Sequence, residues 1–209
     1  MPRATLGVLP NRAMHLTALR AAGDRYGVWR HYAMSTSPTS EVRWLDFSGA
    51  SPMLIPQSMV EHWRGTTDPA TGEYRECDQD NPITDYDRAC AAAWPGRSVL
   101  EFRGVPILIL YSEYDDHTWD ASRQILACGG WLPSDDEVRR ATWTDPIRWR
   151  AEHTDYLLMN SAADASAGLL ADEFMPVRLS SGTYTIEYAG ITSEYVGIFH
   201  RFVRDDHAT

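Results

Sequence analysis

Alternating apolar and polar positions near the C-terminus give the clearest element of the chain. In LSSGTYTIEYAG, Tyr184, Ile186 and Tyr188 occupy one face of an extended segment, while threonines and a glutamate occupy the other. A turn at GITSE then leads to the apolar stretch YVGIFHRFV. Period-two alternation of β-branched and aromatic residues predicts a β-hairpin in this part of the chain.

Further strand signals begin at Arg43. VPILIL (Val105 to Leu110) is apolar on both faces, which predicts a strand in the middle of a packed structure. Pro106 removes one backbone donor, so we expect it at the start of this strand or on a bulge. Other alternating or apolar segments predict additional strands: RWLDFS, PMLIP, SVLEFRG, PIRWRAEH, DYLLMNSA and EFMPVRLS.

Helical patterns are few and short. They are PQSMVEHWRG, TDYDRACAAAW and SDDEVRRA, and a polar loop rich in Gly, Pro and Asp (Thr66 to Pro82) separates the first two. The chain therefore predicts a mainly β (α+β) fold: a single antiparallel β-sandwich-like domain with a few short helices.

The segment TDYDRAC concentrates carboxylates, an arginine and a cysteine at the start of the second helix. Thr84 is expected to cap this helix with Asp87 completing a capping box, and both Asp85 and Asp87 suit the positive end of the helix dipole. Arg88 is placed to pair with Asp85 one turn back. Cys90 falls on the apolar face with the alanines. Local helix physics accounts for these residue types without catalysis.

The N-terminal part has a different composition. Residues 1–33 contain several arginines and a single acidic residue, Asp24, and a small polar stretch, MSTSPTSEV, begins at Met34. The pattern favours a translation start at Met34. We therefore expect residues 1–34 to be a helical or loosely ordered extension and residues 35–209 to be the β-rich domain.

Charge and cysteine usage narrow the classes of function. The net charge is −10 and all 19 basic residues are arginine, which argues against a nucleic-acid binder and permits a basic protein partner. No apolar stretch approaches membrane-spanning length, and the N-terminus lacks the pattern of a secretory signal. Three cysteines without a CxxC pair favour a reduced, cytoplasmic protein. We expect no cofactor and no membrane partner.

Motifs for familiar catalytic chemistry are missing. The chain has no GxSxG, HExxH, P-loop or GxGxxG sequence. The segment EYDDHTWD offers Glu113, Asp115, Asp116 and His117 as ligands for a divalent ion, although an acidic loop after a central strand is usually a solvated turn. Two alternatives follow: a metal-dependent hydrolase that uses these four residues, and a β domain that binds a small ligand among its Trp and Tyr side chains.

The order of the motifs resembles the immunity protein 21 family. The resemblance is carried by PMLIP, a short helix ending in WRG, DYDRAC, GVPILIL, the TW dipeptide, and the C-terminal LSSGTYTIEYA and GIFHRF. It covers roughly Arg43 to Phe202. The departures concern loops: Gly49-Ala50-Ser51-Pro52 stands in place of a Gly-Gly-Pro-type turn, and the insert between WRG and DYDRAC is long.

This resemblance implies a non-catalytic protein that binds and neutralises a cognate bacterial polymorphic toxin. It implies that an acidic surface faces a basic groove of the toxin, with aromatic anchors inside a charged rim. The residues we expect to contact the toxin are Asp85, Asp87, Arg88, Asp115, Asp116, Trp131 and Trp143.

Overall fold

A computed structural model describes residues 42–47, 50–93, 97–110, 112–192 and 196–205. The predicted extension over residues 1–34 lies outside this part of the chain.

The described chain forms two antiparallel sheets, which confirms the mainly β prediction. One sheet has six strands in the order β1 (Leu45–Asp46), β5 (Asp116–Asp120), β6 (Ile125–Cys128), β11 (Val196–Arg204), β10 (Gly182–Thr192) and β7 (Thr144–Ala151). The other has five in the order β3 (Arg97–Phe102), β4 (Val105–Leu110), β2 (Pro52–Pro56), β8 (Asp155–Asn160) and β9 (Phe174–Arg178). Each neighbouring pair is antiparallel.

The predicted C-terminal hairpin is present as β10 and β11. Its register pairs Ile186 with Phe202 and Tyr188 with His200. Tyr184 and Ile186 are fully buried, as their shared face predicts. Pairing continues to Thr192, so β10 runs further than the sequence predicts, because its β-branched end still fits an extended strand. The predicted turn at GITSE therefore belongs in part to the strand.

The two sheets pack face to face around the main core. Leu54, Leu108 and Leu158 of the five-stranded sheet meet Leu126, Ile186 and other side chains of the six-stranded sheet. Strand β4 lies between β3 and β2. This interior position is the one expected for a strand that is apolar on both faces. Pro106 is its second residue and lies beyond the segment that pairs with β2, so its missing N–H disrupts no ladder bond there.

The outer faces of the two sheets are covered by short helices and loops. Helix α1 (Asp85–Ala93), a 3₁₀ helix over Gln57–His62 and another over Ala165–Ala167 cover the five-stranded sheet. Helix α2 (Asp135–Arg140) lies beside the outer face of the six-stranded sheet. The first predicted helix is the 3₁₀ helix Gln57–His62, which is six residues long. The Trp63 N–H at its end donates to the Val60 carbonyl, three residues back, as in a 3₁₀ turn. Within the described residues, each helix is too short or too polar to cross a bilayer.

Strands β5 and β6 are absent from the strands that the sequence predicts. Asp116 to Asp120 belong to an acidic segment that resembles a turn, but β5 pairs with β1 on one side and with β6 on the other. His117 is fully buried there. Tertiary pairing therefore overrides the local polarity of this segment.

Candidate binding site

The WRG and DYDRAC motifs, separated by a long insert in the sequence, meet in the structure. The Arg64 N–H donates to Asp85 Oδ2 at 2.9 Å, and the Tyr86 N–H donates to the Gly65 carbonyl at 3.0 Å. The Trp63 indole N–H donates to the Ser161 carbonyl at 2.9 Å. The two motifs thus form one junction beside the five-stranded sheet.

Asp87 joins the start of α1 to the end of the 66–82 loop from a fully buried position. Its N–H donates to Thr84 Oγ1 at 3.0 Å, and its Oδ2 accepts from the Thr84 N–H at 2.8 Å, which confirms the predicted reciprocal cap. Asp87 Oδ1 accepts from the Asp78 N–H at 2.8 Å, and Oδ2 also accepts from the Ile83 N–H at 3.1 Å. Burial alone would raise the pKa of Asp87, but these N–H groups together hold it below its usual value.

The role of Asp87 as a partner contact stays a prediction, and the contacts observed for Asp87 are within the chain. Its side chain has 0% exposure and both of its oxygens accept hydrogen bonds from this chain. Asp85 and Arg88 do remain accessible at the surface: they form the predicted ion pair at 3.4 Å, with Arg88 exposed and Asp85 half-buried.

Asp85 and Arg88 line a cleft of about 230 Å³ between α1, the end of the first 3₁₀ helix and the β3–β4 turn. Basic and acidic groups from three elements face it: His62, Arg64, Arg88 and Arg103, with Asp85 and Glu101. Its remaining walls include Trp63 and Phe102, whose rings meet edge to face at 5.1 Å. The mixed charges fit a polar rim more closely than the aromatic small-ligand pocket considered above.

The 66–82 loop borders this cleft and is held by its own hydrogen bonds. Asp68 Oδ1 accepts from the N–H groups of Ala70 and Thr71 at 2.7 and 3.2 Å, and the Asp68 N–H donates to the Glu73 carbonyl at 2.8 Å. Arg75 reaches Asp68 at 4.0 Å and Asp78 at 3.8 Å. Long loops without secondary structure are uncommon unless they carry a function, so a fixed one of this length is a candidate contact surface.

Tyr74 projects from this loop into solvent. Its side chain is 75% exposed, although its backbone forms an isolated β-bridge with Thr67. Glu73, Glu76 and Asp80 of the same loop are exposed as well. Tyr74 is not among the contact residues predicted from the sequence; the available signal is an aromatic residue between two glutamates, within a long polar loop.

The four residues of the metal hypothesis lie in different environments. Glu113 and Asp115 are exposed, while His117 has 0% exposure and stacks on Phe47 at 4.8 Å. His117 Nδ1 lies 2.7 Å from the Asp115 carbonyl, and burial lowers the pKa of His117 to about 4. Among the described residues, no group of three or more His, Cys, Asp or Glu side chains is arranged to hold a metal ion.

Asp115 and Asp116 also serve the fold through their main chains. The Asp115 carbonyl accepts from the Phe47 N–H at 3.0 Å, and the Asp116 carbonyl accepts from the Gly129 N–H at 2.9 Å. The Asp115 side chain is exposed and that of Asp116 is half-buried. Their role as contacts stays a prediction.

Trp131 and Trp143 are half-buried on the outer face of the six-stranded sheet. Trp131 meets Phe199 edge to face at 5.0 Å, and the Arg201 guanidinium lies 4.2 Å from the Trp143 ring. This face and the α1 face lie on opposite sides of the sandwich, because each sheet shields one of them. The residues predicted to contact the toxin therefore do not form one surface.

Comparisons of the chain with protein-family models, with curated proteins and with solved structures find no match. The resemblance to the immunity protein 21 family stays a prediction that rests on the motifs.

Proposed function

We propose that this protein binds and neutralises a bacterial polymorphic toxin and has no catalytic activity of its own. The motif order supports this function. Support also comes from the way in which the conspicuous polar groups of the WRG and DYDRAC motifs, above all Asp87, are engaged within the chain. Polar groups that are hydrogen-bonded within the chain stabilise the fold. A stable fold that presents an exposed loop suits a binding protein.

Tyr74 is the observation that carries this proposal. A tyrosine that is 75% exposed on a hydrogen-bonded loop offers a large contact area with little rotamer entropy to lose on binding. Tyrosine is also among the residues that dominate the binding energy of protein interfaces. The 66–82 loop is the long insert that departs from the family pattern, so it is the part of the chain best placed to select a particular toxin.

The charge around Tyr74 indicates the kind of partner. Glu73, Glu76 and Asp80 are exposed on the same loop, and the whole chain carries a net charge of −10. A basic toxin surface would complement this negative charge. Long-range attraction would steer the toxin toward the loop, which raises the association rate more than the affinity. Asp85 and Arg88, at the neighbouring cleft, then belong to the rim of the same contact.

Growth rescue tests this function directly. The gene for the toxin encoded beside this protein is induced in cells that co-express the native chain, Tyr74→Ala or Leu170→Ala. The last variant is the control, because Leu170 is apolar and 55% exposed but lies outside the loop. We expect the native chain and Leu170→Ala to restore growth and Tyr74→Ala to restore it poorly. Continued toxicity with the native chain would refute the function, whereas full rescue by Tyr74→Ala would refute only the surface.

A further inference from the structure

The cleft beside α1 has the opposite charge balance to the protein as a whole. The whole chain carries a net charge of −10. The cleft, in contrast, is lined by one histidine, three arginines and two acidic residues: His62, Arg64, Arg88, Arg103, Asp85 and Glu101. With His62 neutral, the arginines outnumber the carboxylates by one. A local excess of positive charge on an acidic protein attracts an anionic group.

Two of the three arginines of the cleft have no salt-bridge partner. Arg88 pairs with Asp85 at 3.4 Å. Within the described part of the chain, the side chains of Arg64 and Arg103 form no salt bridge, and the buried Arg64 Nε has no hydrogen-bond partner. A guanidinium that is partly removed from water gains most from a counter-charge that also accepts its hydrogen bonds. Arg64 and Arg103 are therefore the groups with which an anion in this cleft would pair.

Asp164 is the acidic group of the chain that acts on Arg64 from outside the cleft lining. Burial tends to raise the pKa of Asp164, but hydrogen bonds from Ser166 and Thr67, with the positive charge of Arg64, hold it below its usual value. Its Oδ2 accepts from Thr67 Oγ1 at 2.7 Å, and its Oδ1 accepts from the Ser166 N–H at 3.0 Å. Asp164 is thus engaged with its own loop and leaves the Arg64 guanidinium available to a ligand.

The walls of the cleft are apolar and suit a ligand of the size of one side chain. Ile83, Leu100 and Phe102 contribute to the lining, and the Arg103 guanidinium carbon lies 5.8 Å from the centroid of the Phe102 ring. The volume of about 230 Å³ is below the roughly 300–1,000 Å³ of sites for drug-sized ligands. The cleft therefore fits a short aliphatic stem that ends in an anionic group.

The charges of the cleft favour a carboxylate over a phosphate dianion. Asp85 and Glu101 line the same cleft, and both repel a second negative charge on the ligand. One negative charge balances the excess of one arginine. A glutamate or aspartate side chain has this charge and this shape.

We propose that the cleft receives one acidic side chain of the bound toxin, whose carboxylate is neutralised by Arg64 and Arg103. This inference rests on the proposed function, because the acidic side chain belongs to the toxin. The 66–82 loop then meets a basic surface while the neighbouring cleft takes a single acid from within it. Opposite charges side by side fix the orientation of the partner, and a basic surface without this acid leaves the two arginines unpaired.

Charge reversal at Arg103 tests the contact in the complex. Arg103 is exposed in the β3–β4 turn. In calorimetric titration with the toxin, Arg103→Glu should raise the dissociation constant at least about tenfold, because two negative groups would then meet. Arg139→Glu is the control, since Arg139 lies on α2 and its side chain is 70% exposed. This variant should bind like the native chain.

A second experiment examines the cleft without the toxin. Propionate reproduces the end of a glutamate side chain, and propionamide is its neutral counterpart of nearly the same shape. Each is titrated into the ¹⁵N-labelled full-length protein at constant ionic strength, and the backbone amide signals of residues 100–103 are followed by NMR. We expect saturable shifts with propionate, binding at least about tenfold weaker with propionamide, and weaker propionate binding in Arg103→Gln.

Three results would overturn this inference: equal binding of propionate and propionamide, tighter binding of inorganic phosphate than of propionate, or an unchanged toxin affinity in Arg103→Glu. Each of them leaves the proposed function standing, because the native chain still binds the toxin. Absence of toxin binding by the native chain would instead refute the function and this inference together. The probe titration on the native chain needs no variant, so it does not depend on whether a variant folds.

Discussion

At Gly65 the WRG segment runs against the chain that follows β8. Its φ is 52°, and a Cβ added there would lie 2.3 Å from the Ala162 carbonyl oxygen and 2.4 Å from that of Ala163. Gly65→Ala should therefore lower the free energy of unfolding by at least about 3 kcal/mol, since backbone strain is joined by a collision. Urea unfolding measures this loss.

Gly72→Ala is the matched control for that experiment. Gly72 also has a positive φ, 75°, but nothing lies within 4 Å of its added Cβ. Gly72→Ala should lower the free energy of unfolding only by the cost of placing alanine in a left-handed backbone, about 1–2 kcal/mol. Equal losses for the two variants would show that Gly65 is not a point of close approach.

Asp87 is the second residue whose environment fixes its role. Asp87→Asn places an amide donor where backbone N–H groups now donate, so we expect a loss of about 2–3 kcal/mol at neutral pH. The pKa of Asp87 is lowered in the folded state, so its stabilisation is present above the unfolded value and is lost as the pH falls below about 4.

Urea unfolding of the native chain and Asp87→Asn, at neutral pH and again near pH 3, measures this dependence. The gap between the two proteins should narrow in acid. Asp80→Asn, at an exposed position on the 66–82 loop, should match the native chain at both pH values. A gap that does not change with pH would contradict the assignment.

His117 predicts a separate pH dependence. Burial lowers its pKa to about 4, although the hydrogen bond with the Asp115 carbonyl and the Asp46 carboxylate oppose the shift. The unfolded chain therefore takes up a proton near pH 6.5 and the folded chain does not, so stability falls by about 3 kcal/mol as the pH drops from about 6.5 to 4.

His117→Leu should remove most of this slope, as followed by unfolding in urea across that pH range. His62→Gln changes a histidine whose side chain is 41% exposed, and it should leave the slope as it is in the native chain. An undiminished slope in His117→Leu would show that other groups produce the pH dependence.

Among the elements, we expect the 66–82 loop to be held in its conformation by local hydrogen bonds more than by packing against the core. Asp68→Ala removes the acceptor of the Ala70 and Thr71 N–H groups and one partner of Arg75. We expect faster tryptic cleavage after Arg75 with little change in global stability, because opening of a surface loop is a local event. Asp172→Ala, in another exposed segment, should leave the cleavage rate unchanged.

The elements also show what the sequence can predict. Alternation was enough for the β10–β11 hairpin, since Tyr184 and Ile186 bury one face of it. It was not enough for β5, because the acids around His117 give no alternating signal and the strand exists through pairing with β1 and β6. Local capping rules likewise predicted the Thr84–Asp87 box, but the further bond from Asp78, which belongs to the loop, is a tertiary contact.

The same limit applies to the predicted contact residues. Residue type alone predicts that Trp131 and Asp85 belong to one interface, yet the sandwich separates them onto opposite faces. The order of the strands in the sheets decides on which face of the sandwich a loop residue lies. Local periodicity in the sequence does not predict that order. Tyr74 was missed for the converse reason, because exposure of an aromatic side chain is a property of the folded loop.

On the scale of the whole molecule, two stacked sheets form a rigid support with distinct outer faces. The face that carries α1 and the 66–82 loop has the exposed aromatic side chain, the polar cleft and the acidic rim. The opposite face holds its tryptophans half-buried against the sheet and against Arg201. This division favours a one-to-one complex with a basic protein on the loop side.

The affinity of the purified chain for its proposed toxin partner, the product of the neighbouring gene, tests this account most directly. Calorimetric titration should show one-to-one binding, with the dissociation constant raised at least about 30-fold by Tyr74→Ala, the effect of an interface hot spot. Leu170→Ala should bind like the native chain. Absence of binding by the native chain, or an unchanged dissociation constant for Tyr74→Ala, would contradict the account.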